Sequence, residues 1–272
     1  MGKLRQSRTA RPAPAGAVKP QERDQWIFES LGKMDCLTTS QIAALHFGGS
    51  VWAAQKRLLR LHRAGWVRAW VPERNLAMPN VYTLDRRGAA LLGELTGQRW
   101  RAPQGLDGQL KHRLLINEIR IQIALALDPA DGELVFWRSD RELGGRLREP
   151  VVPDALFAVR WPEGEQRYAL EVERETRAPQ RFLGKMLRYQ AFSNLYGVGD
   201  LTVLVVAESD GWLTRYRAAI ERAALDFPVL FGLAESVTTR PLDPVWTGIA
   251  GDERMSLRAP LCRKEGEPLR SA

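Results

Sequence analysis

The apolar positions of residues 21–97 predict three helices, a β-hairpin and a fourth helix, in that order. Each helical stretch repeats apolar residues at intervals of three and four, the spacing that keeps them on one face. Thr38 or Thr39 stands where the second helix needs an N-cap, and Ser50 stands just before the third. Two alternating stretches on either side of residues 72–79 predict the hairpin strands.

The third predicted helix, which Gly65 ends, combines leucines with basic residues. The leucines expected to face inwards are Leu58, Leu59 and Leu61. The basic residues then available to the outer side are Lys56, Arg57, Arg60 and Arg63.

The rest of the chain alternates between helical and strand-like stretches, which predicts an α/β domain. The predicted order is helix, three strands, helix, strand, helix, strand. Residues 201–207 are apolar without interruption and rich in β-branched side chains, which is typical of a central strand buried on both faces. In the helix before this strand, the positions expected to be buried are Phe182, Met186, Tyr189 and Phe192.

Composition agrees with a globular protein that works in the cytoplasm. The chain has 272 residues, enough for two domains, with 44% hydrophobic and 26% charged residues. No apolar run reaches the roughly 20 residues of a membrane span, and the basic N-terminal stretch lacks the apolar segment of a secretory signal. Cys36 and Cys262 are far apart and fit reduced thiols, and three scattered histidines do not indicate a zinc site.

Positive charge is concentrated in the first part of the chain. Residues 1–105 hold 17 Lys/Arg and 7 Asp/Glu, a net charge of +10, whereas residues 106–272 hold 23 and 25, a net charge of −2. A basic first part joined to a near-neutral second part predicts that the first part meets a polyanion. A solubilising basic surface is the alternative.

Three acidic residues lie close together on two predicted neighbouring strands. Asp154 opens the first strand, a turn at residues 162–165 follows, and Glu171 and Glu173 share one face of the second strand because strand side chains alternate. Such a cluster is unfavourable unless a cation or a basic partner neutralises it, and without one at least one pKa is raised. Oxygen-only ligands favour Mg²⁺, Mn²⁺ or Ca²⁺ over zinc, so the sequence predicts a divalent-cation site, with Mg²⁺ or Mn²⁺ as the candidate ions.

The spacing of Pro153-Asp154 and Glu171-Val172-Glu173 resembles that of the PD-(D/E)xK nucleases. The resemblance implies a restriction-endonuclease-like α/β fold, with Asp154 and Glu171 as Mg²⁺ ligands. Glu173 replaces the usual lysine and would be a further ligand or a base. In this superfamily the following helix can supply the missing lysine, which makes Lys185 the candidate to stabilise developing charge.

The phrases LTTSQIAALHF, AAQKRLLRLHRAGWV and VYTLDRRGAALL resemble the second helix, third helix and wing of a winged helix-turn-helix domain. The resemblance implies binding to double-stranded DNA, with the third helix in the major groove. The predicted DNA contacts on this helix are Gln55, Lys56, Arg57 and Arg60, and those on the wing are Arg68 and Arg74. Gln55 could read an adenine edge. A winged helix used only for protein contacts is the alternative.

The whole order, up to the segment Asp243-Pro244-Val245-Trp246, resembles the replication-relaxation family over residues 21–247. The resemblance implies a DNA-binding protein of plasmid or mobile-element replication or mobilisation, with protein partners in such a complex. Two alternatives stay open. One is an active Mg²⁺-dependent DNA endonuclease. The other is a transcriptional regulator whose nuclease-like domain is non-catalytic, its acidic strand pairing with Arg174 or Arg177.

These patterns predict five segments along the chain. The predicted segments are a disordered basic arm at 1–20, a winged helix at 21–97, a linker at 98–108, a nuclease-like α/β domain at 109–247 and a mobile tail at 248–272.

Overall fold

The computed structural model describes residues 18–71, 79–106, 108–128, 130–144, 151–173, 178–196, 201–251 and 253–258. Several predictions concern residues outside this part of the chain: Arg74, Arg174, Arg177, most of the predicted N-terminal arm and most of the predicted C-terminal tail. The side chain of Phe192 also lies outside the described part. The chain divides into two compact units, Met1–Ile121 and Gln122–Ala272.

The first unit contains the three helices, the hairpin strands and the fourth helix in the predicted order. Its elements are α1 (Glu22–Met34), β1 (Leu37–Thr38), α2 (Thr39–His46), α3 (Val51–Arg63), β2 (Val67–Trp70), β3 (Val81–Leu84), α4 (Arg86–Thr96) and the start of α5 (Leu110–Ala126). The three strands form an antiparallel sheet in the order β1-β3-β2. The short strand β1 was not predicted, because two residues are too few for a pattern.

Side-chain caps account for where α2 and α3 begin. The Thr38 hydroxyl accepts a hydrogen bond from the Gln41 amide at 3.2 Å, and the Gln41 side chain accepts one from the Thr38 amide at 2.9 Å. This reciprocal pair is a capping box. The Ser50 hydroxyl caps α3 by accepting from the Ala53 amide at 3.4 Å. Gly65 follows α3 with a φ of 80°, a conformation that glycine adopts without strain.

The core of the first unit lies between the helices and the small sheet. Phe28, Leu31, Leu58 and Leu61 are among its fully buried side chains. The prediction that Leu59 faces inwards was wrong, since its side chain is 44% exposed. The buried stripe of α3 runs through positions 54, 58 and 61, and residue 59 lies about 100° round the helix from residue 58.

The second unit is built on one large sheet. Its elements are β4 (Glu133–Ser139), α6 (Asp140–Gly144), β5 (Ala155–Trp161), β6 (Gly164–Val172), α7 (Pro179–Tyr196), β7 (Leu201–Ala207), α8 (Asp210–Ile220), β8 (Val229–Leu233), α9 (Ala234–Val237), β9 (Trp246–Thr247) and β10 (Arg254–Met255). The seven described strands have the order β10-β9-β8-β7-β6-β5-β4. Strands β6, β7 and β8 are parallel, and the other pairs are antiparallel. A bulge interrupts the pairing of β4 with β5 between Leu134 and Phe136.

The centre of the sheet is buried on both faces. Every residue of β7 is buried, as its uninterrupted apolar sequence predicts. Helices α7 and α8 cover one face, where Phe182, Met186 and Tyr189 join Val203 and the other apolar residues of one cluster. The mixed α/β class with a large sheet is therefore confirmed. Among the described helices, none is long and apolar enough to cross a membrane.

Candidate functional site

The three predicted acidic residues lie at the end of the β5–β6 hairpin. The register pairs Ala155 with Leu170, so Asp154 stands opposite Glu171, one residue beyond the paired strand. The Asp154 amide donates to the Leu170 carbonyl at 3.0 Å, and the Asp154 carboxylate accepts from the Val172 amide at 2.8 Å. Asp154 therefore continues the hydrogen-bond ladder with its side chain where regular pairing stops.

Glu171 is fully buried within the sheet, and α7 supplies partners for both of its oxygens. The Lys185 ammonium forms an ion pair with Oε2, and the Tyr189 hydroxyl donates to Oε1 at 2.5 Å. Lys185 and Tyr189 are one helical turn apart, so one face of α7 presents both donors. A buried carboxyl group needs such partners, because a polar group without them is unfavourable away from water.

The electrostatics link all three acids to Tyr189. The pKa of Glu171 is raised to about 8, mainly because burial disfavours the charged form. The Lys185 charge and the hydrogen bonds from Lys185 and Tyr189 oppose this increase, and the Asp154 carboxylate adds to it. Burial also raises the pKa of Tyr189 well above its ordinary value, with further increases from Glu171, Asp154 and Glu173. Glu173 is only 3% exposed, and its amide donates to the Val206 carbonyl at 2.8 Å. The structure therefore brings Asp154, Glu171 and Lys185 together, and it places Glu173 close enough to Tyr189 to raise the pKa of that residue.

The gathered residues do not form a metal site in this arrangement. Their oxygen donors suit Mg²⁺ or Mn²⁺ chemically. In the part of the chain that the structure describes, however, no three carboxylate, histidine or cysteine side chains are arranged to hold one ion. Both Glu171 oxygens are engaged by α7, and one Asp154 oxygen is engaged by the β6 backbone. The divalent-cation site stays a prediction, and it requires these side chains to rearrange.

Three of the four DNA contacts predicted on α3 are exposed, namely Gln55, Lys56 and Arg60. The helix carries four lysine or arginine residues and no acidic one. Arg68 is half-buried on β2, with its guanidinium carbon 5.2 Å from the centre of the Trp70 ring.

Arg57 has a different environment from its neighbours on α3. Its side chain is 12% exposed and pairs with the buried Asp24 of α1, and its Nε donates to Asp24 Oδ1 at 2.9 Å. The hydrogen bond to Asp24 raises the pKa of Arg57 further above its ordinary value. Asp24 also accepts from the Gln21 amide at 2.6 Å, at the start of α1. Arg57 thus ties α3 to the N-terminus of α1.

Two features of these sites escaped prediction. The Asp24–Arg57 pair has no local signal, because its members are 33 residues apart in the chain. Trp52 is 71% exposed on the same helix as Gln55 and Lys56, and the Lys56 ammonium lies 5.0 Å from the centre of a Trp52 ring. The sequence signal that could have revealed Trp52 is its spacing from the predicted DNA contacts, because positions 52, 55, 56 and 59 share one helical face.

Of the comparisons with known proteins, the comparison with protein families gave a match. The family model described as replication-relaxation matches residues 28–200, more than half of the chain. No curated protein and no solved structure matches the chain significantly.

Replacing Asp24 with Ala should lower the free energy of unfolding by about 3 kcal/mol, because it leaves the Arg57 guanidinium largely buried without its partner. Urea unfolding of wild type and variant measures the difference. Glu29→Ala is the matched control, since it breaks an exposed ion pair with Lys33 on the same helix and should cost less than about 1 kcal/mol. Equal losses in the two variants would contradict a structural role for the Asp24–Arg57 pair.

The raised pKa of Glu171 predicts that the protein loses stability as pH rises from about 4.5 to about 8. In this window the folded protein keeps a proton on Glu171 that the unfolded chain has already released, so the free energy of unfolding falls with pH. Glu171→Gln removes the titration and should flatten this decline. Urea unfolding across the window measures it, with Glu133→Gln, an exposed glutamate on β4, as the control. Parallel profiles for wild type and Glu171→Gln would contradict the prediction.

Proposed function

Because the chain belongs to the replication-relaxation family, we propose that it binds double-stranded DNA and acts in plasmid or mobile-element replication, mobilisation or DNA processing. The single observation that carries the DNA-binding proposal is the exposed basic face of α3. The remaining partners in this proposal are proteins of a replication or mobilisation complex.

The architecture of the first unit supports a winged helix. Three helices precede the β2–β3 pair, and a fourth helix follows it. In such a domain α3 enters the major groove, and the β2–β3 hairpin is the wing that lies along the backbone or in the minor groove. Arg68 lies on β2, and Arg74 falls in the sequence between β2 and β3, outside the described residues. Both are proposed wing contacts.

Charge and exposure give the residues of α3 separate roles in this proposal. Lys56 and Arg60 contact phosphates, which supply most of the affinity and make it depend on salt. Gln55 lies between them and the N-terminal end of the helix and reads an adenine edge. Arg57 is left out of the interface, because its guanidinium is bound to Asp24. Its role is to hold α3 at a fixed angle to α1.

The second unit is proposed to be a nuclease-like domain that serves as an interaction module. The observation that supports this role is that Lys185 and Tyr189 bind both carboxyl oxygens of Glu171. These contacts make Glu171 part of the packing between α7 and the sheet. A transcriptional regulator with a non-catalytic nuclease-like domain would use the same arrangement.

A metal-dependent endonuclease is the second candidate function for this unit. The observation that favours it is the gathering of Asp154, Glu171, Glu173 and Lys185 at one end of β6. Magnesium would supply a Lewis acid and an activated water at such a site. The chain's own contribution would be to hold the carboxylates together and to place the Lys185 charge beside them.

Replacing Lys56 and Arg60 together with Ala should weaken binding to a mixed-sequence duplex and make its salt dependence shallower by about two units of slope, one for each phosphate that the variant no longer neutralises. Fluorescence anisotropy with the full chain at several salt concentrations measures both effects. The control is Arg160→Ala with Arg167→Ala, which removes the same charge from exposed positions on the second unit. Equal losses of DNA affinity in the two double variants would contradict a role for α3 in DNA binding.

The endonuclease candidate predicts that purified wild-type protein nicks or linearises supercoiled plasmid with Mg²⁺ or Mn²⁺. Asp154→Asn should abolish this cleavage and leave duplex binding unchanged. Asparagine can still accept the hydrogen bond from the Val172 amide, so the hairpin should keep its fold. Agarose gels follow cleavage, and anisotropy follows binding. A wild-type protein that binds DNA and leaves the plasmid intact with both cations would contradict this candidate.

A further inference from the structure

The exposed face of α3 carries apolar side chains among its cations. Trp52 is 71% exposed, Leu59 is 44% exposed, and Val51 is 40% exposed. The buried stripe of the same helix, through Ala54, Leu58 and Leu61, already supplies its contact with the core. The outer apolar side chains are therefore additional to what folding requires.

These side chains form one strip with the proposed DNA contacts. Residues 52, 55, 56 and 59 follow one another at intervals of three, one and three, which places them on neighbouring positions of one helical face. The Lys56 ammonium lies 5.0 Å from a Trp52 ring centre, within the range of a cation–π contact. The strip thus combines positive charge with an indole ring and a leucine.

The chemistry of the strip fits the major groove of duplex DNA. Phosphates line the rims of the groove, and the thymine C5-methyl is the apolar group among the base edges exposed on its floor. Residues near the N-terminus of a recognition helix reach base edges, and Trp52 is the second residue of α3. A helix with four basic residues and no acidic one is suited to this polyanion.

On the basis of the proposed DNA binding by α3, we propose that Trp52 and Leu59 contact thymine methyl groups. These two residues would then give the protein a preference for thymine-containing sites. The two residues are seven positions apart, so about 10 Å of helix axis separates them. This length corresponds to roughly three base pairs of rise. Gln55 lies between them, where it can pair with an adenine of the same site.

The test compares an A·T-rich duplex with the same duplex in which uracil replaces thymine, so that the two differ only in the methyl groups. Fluorescence anisotropy with the full chain measures both dissociation constants at one salt concentration. Wild-type protein should bind the uracil duplex about fourfold more weakly for each thymine methyl that it buries in the other duplex. Trp52→Ala and Leu59→Ala should each weaken binding to the thymine duplex and bring the two affinities closer together.

Trp26→Ala is the matched control, because Trp26 is also exposed, at 52%, but lies on α1. It should keep the full difference between the thymine and uracil duplexes. Trp52 is exposed, so its replacement should leave the thermal unfolding midpoint near that of wild type, which confirms that the variant is folded. A Trp26→Ala variant that also loses the discrimination would overturn the assignment to the α3 strip.

The outcomes separate this inference from the proposed function. Wild-type protein that binds neither duplex would overturn both. Wild-type protein that binds both duplexes equally would overturn the thymine contact and leave DNA binding by α3 in place. If Trp52→Ala loses affinity for single-stranded DNA and keeps its affinity for both duplexes, Trp52 stacks on unpaired bases and the major-groove contact is wrong.

Discussion

The carboxyl group of Glu171 is fully buried in the second unit, and its need for partners constrains the helix that packs against it. A buried polar group is tolerated only where other groups compensate for its lost hydration. Lys185 and Tyr189 do so from α7, which fixes both the rotation of that helix and its position along the sheet. The apolar residues that follow the same face, including Phe182 and Met186, then meet the sheet in one arrangement. The polar contact specifies the geometry, and the apolar burial stabilises it.

In the first unit, a buried ion pair fixes the arrangement of α1 and α3 in a similar way. Asp24 is fully buried at the start of α1, and Arg57 reaches it from the middle of α3. Each residue of a helix has a fixed angular position relative to the others, so the inward orientation of Arg57 also determines which residues point outwards. With Arg57 held inwards, Gln55, Lys56 and Arg60 point towards solvent together with Trp52. An ion pair inside the unit thus determines the composition of the surface proposed to meet DNA.

Sequence patterns predicted those features that depend on neighbouring residues. The N-cap of α2 and the buried strand β7 depend on residues close together in the chain. The cap was predicted at Thr38 or Thr39 and lies at Thr38, and the strand was predicted correctly. The family was also identified, through motifs spread over most of the chain. The inward orientation of Leu59 was wrong, because three leucines within four positions do not reveal which two lie on the buried stripe. Asp24 and Arg57 meet only after folding, so no local pattern joins them.

The order of the large sheet has a consequence for self-association. Strands at the edge of a sheet offer unpaired backbone groups to other chains, and long flat edges promote aggregation. Among the described strands, one edge is β10, which is two residues long. The other edge is β4, where a bulge breaks the regular pairing and Glu133 and Arg138 are exposed. Neither edge is a good template for strand addition, so neither favours joining of the large sheets of two copies, even where the protein is locally concentrated.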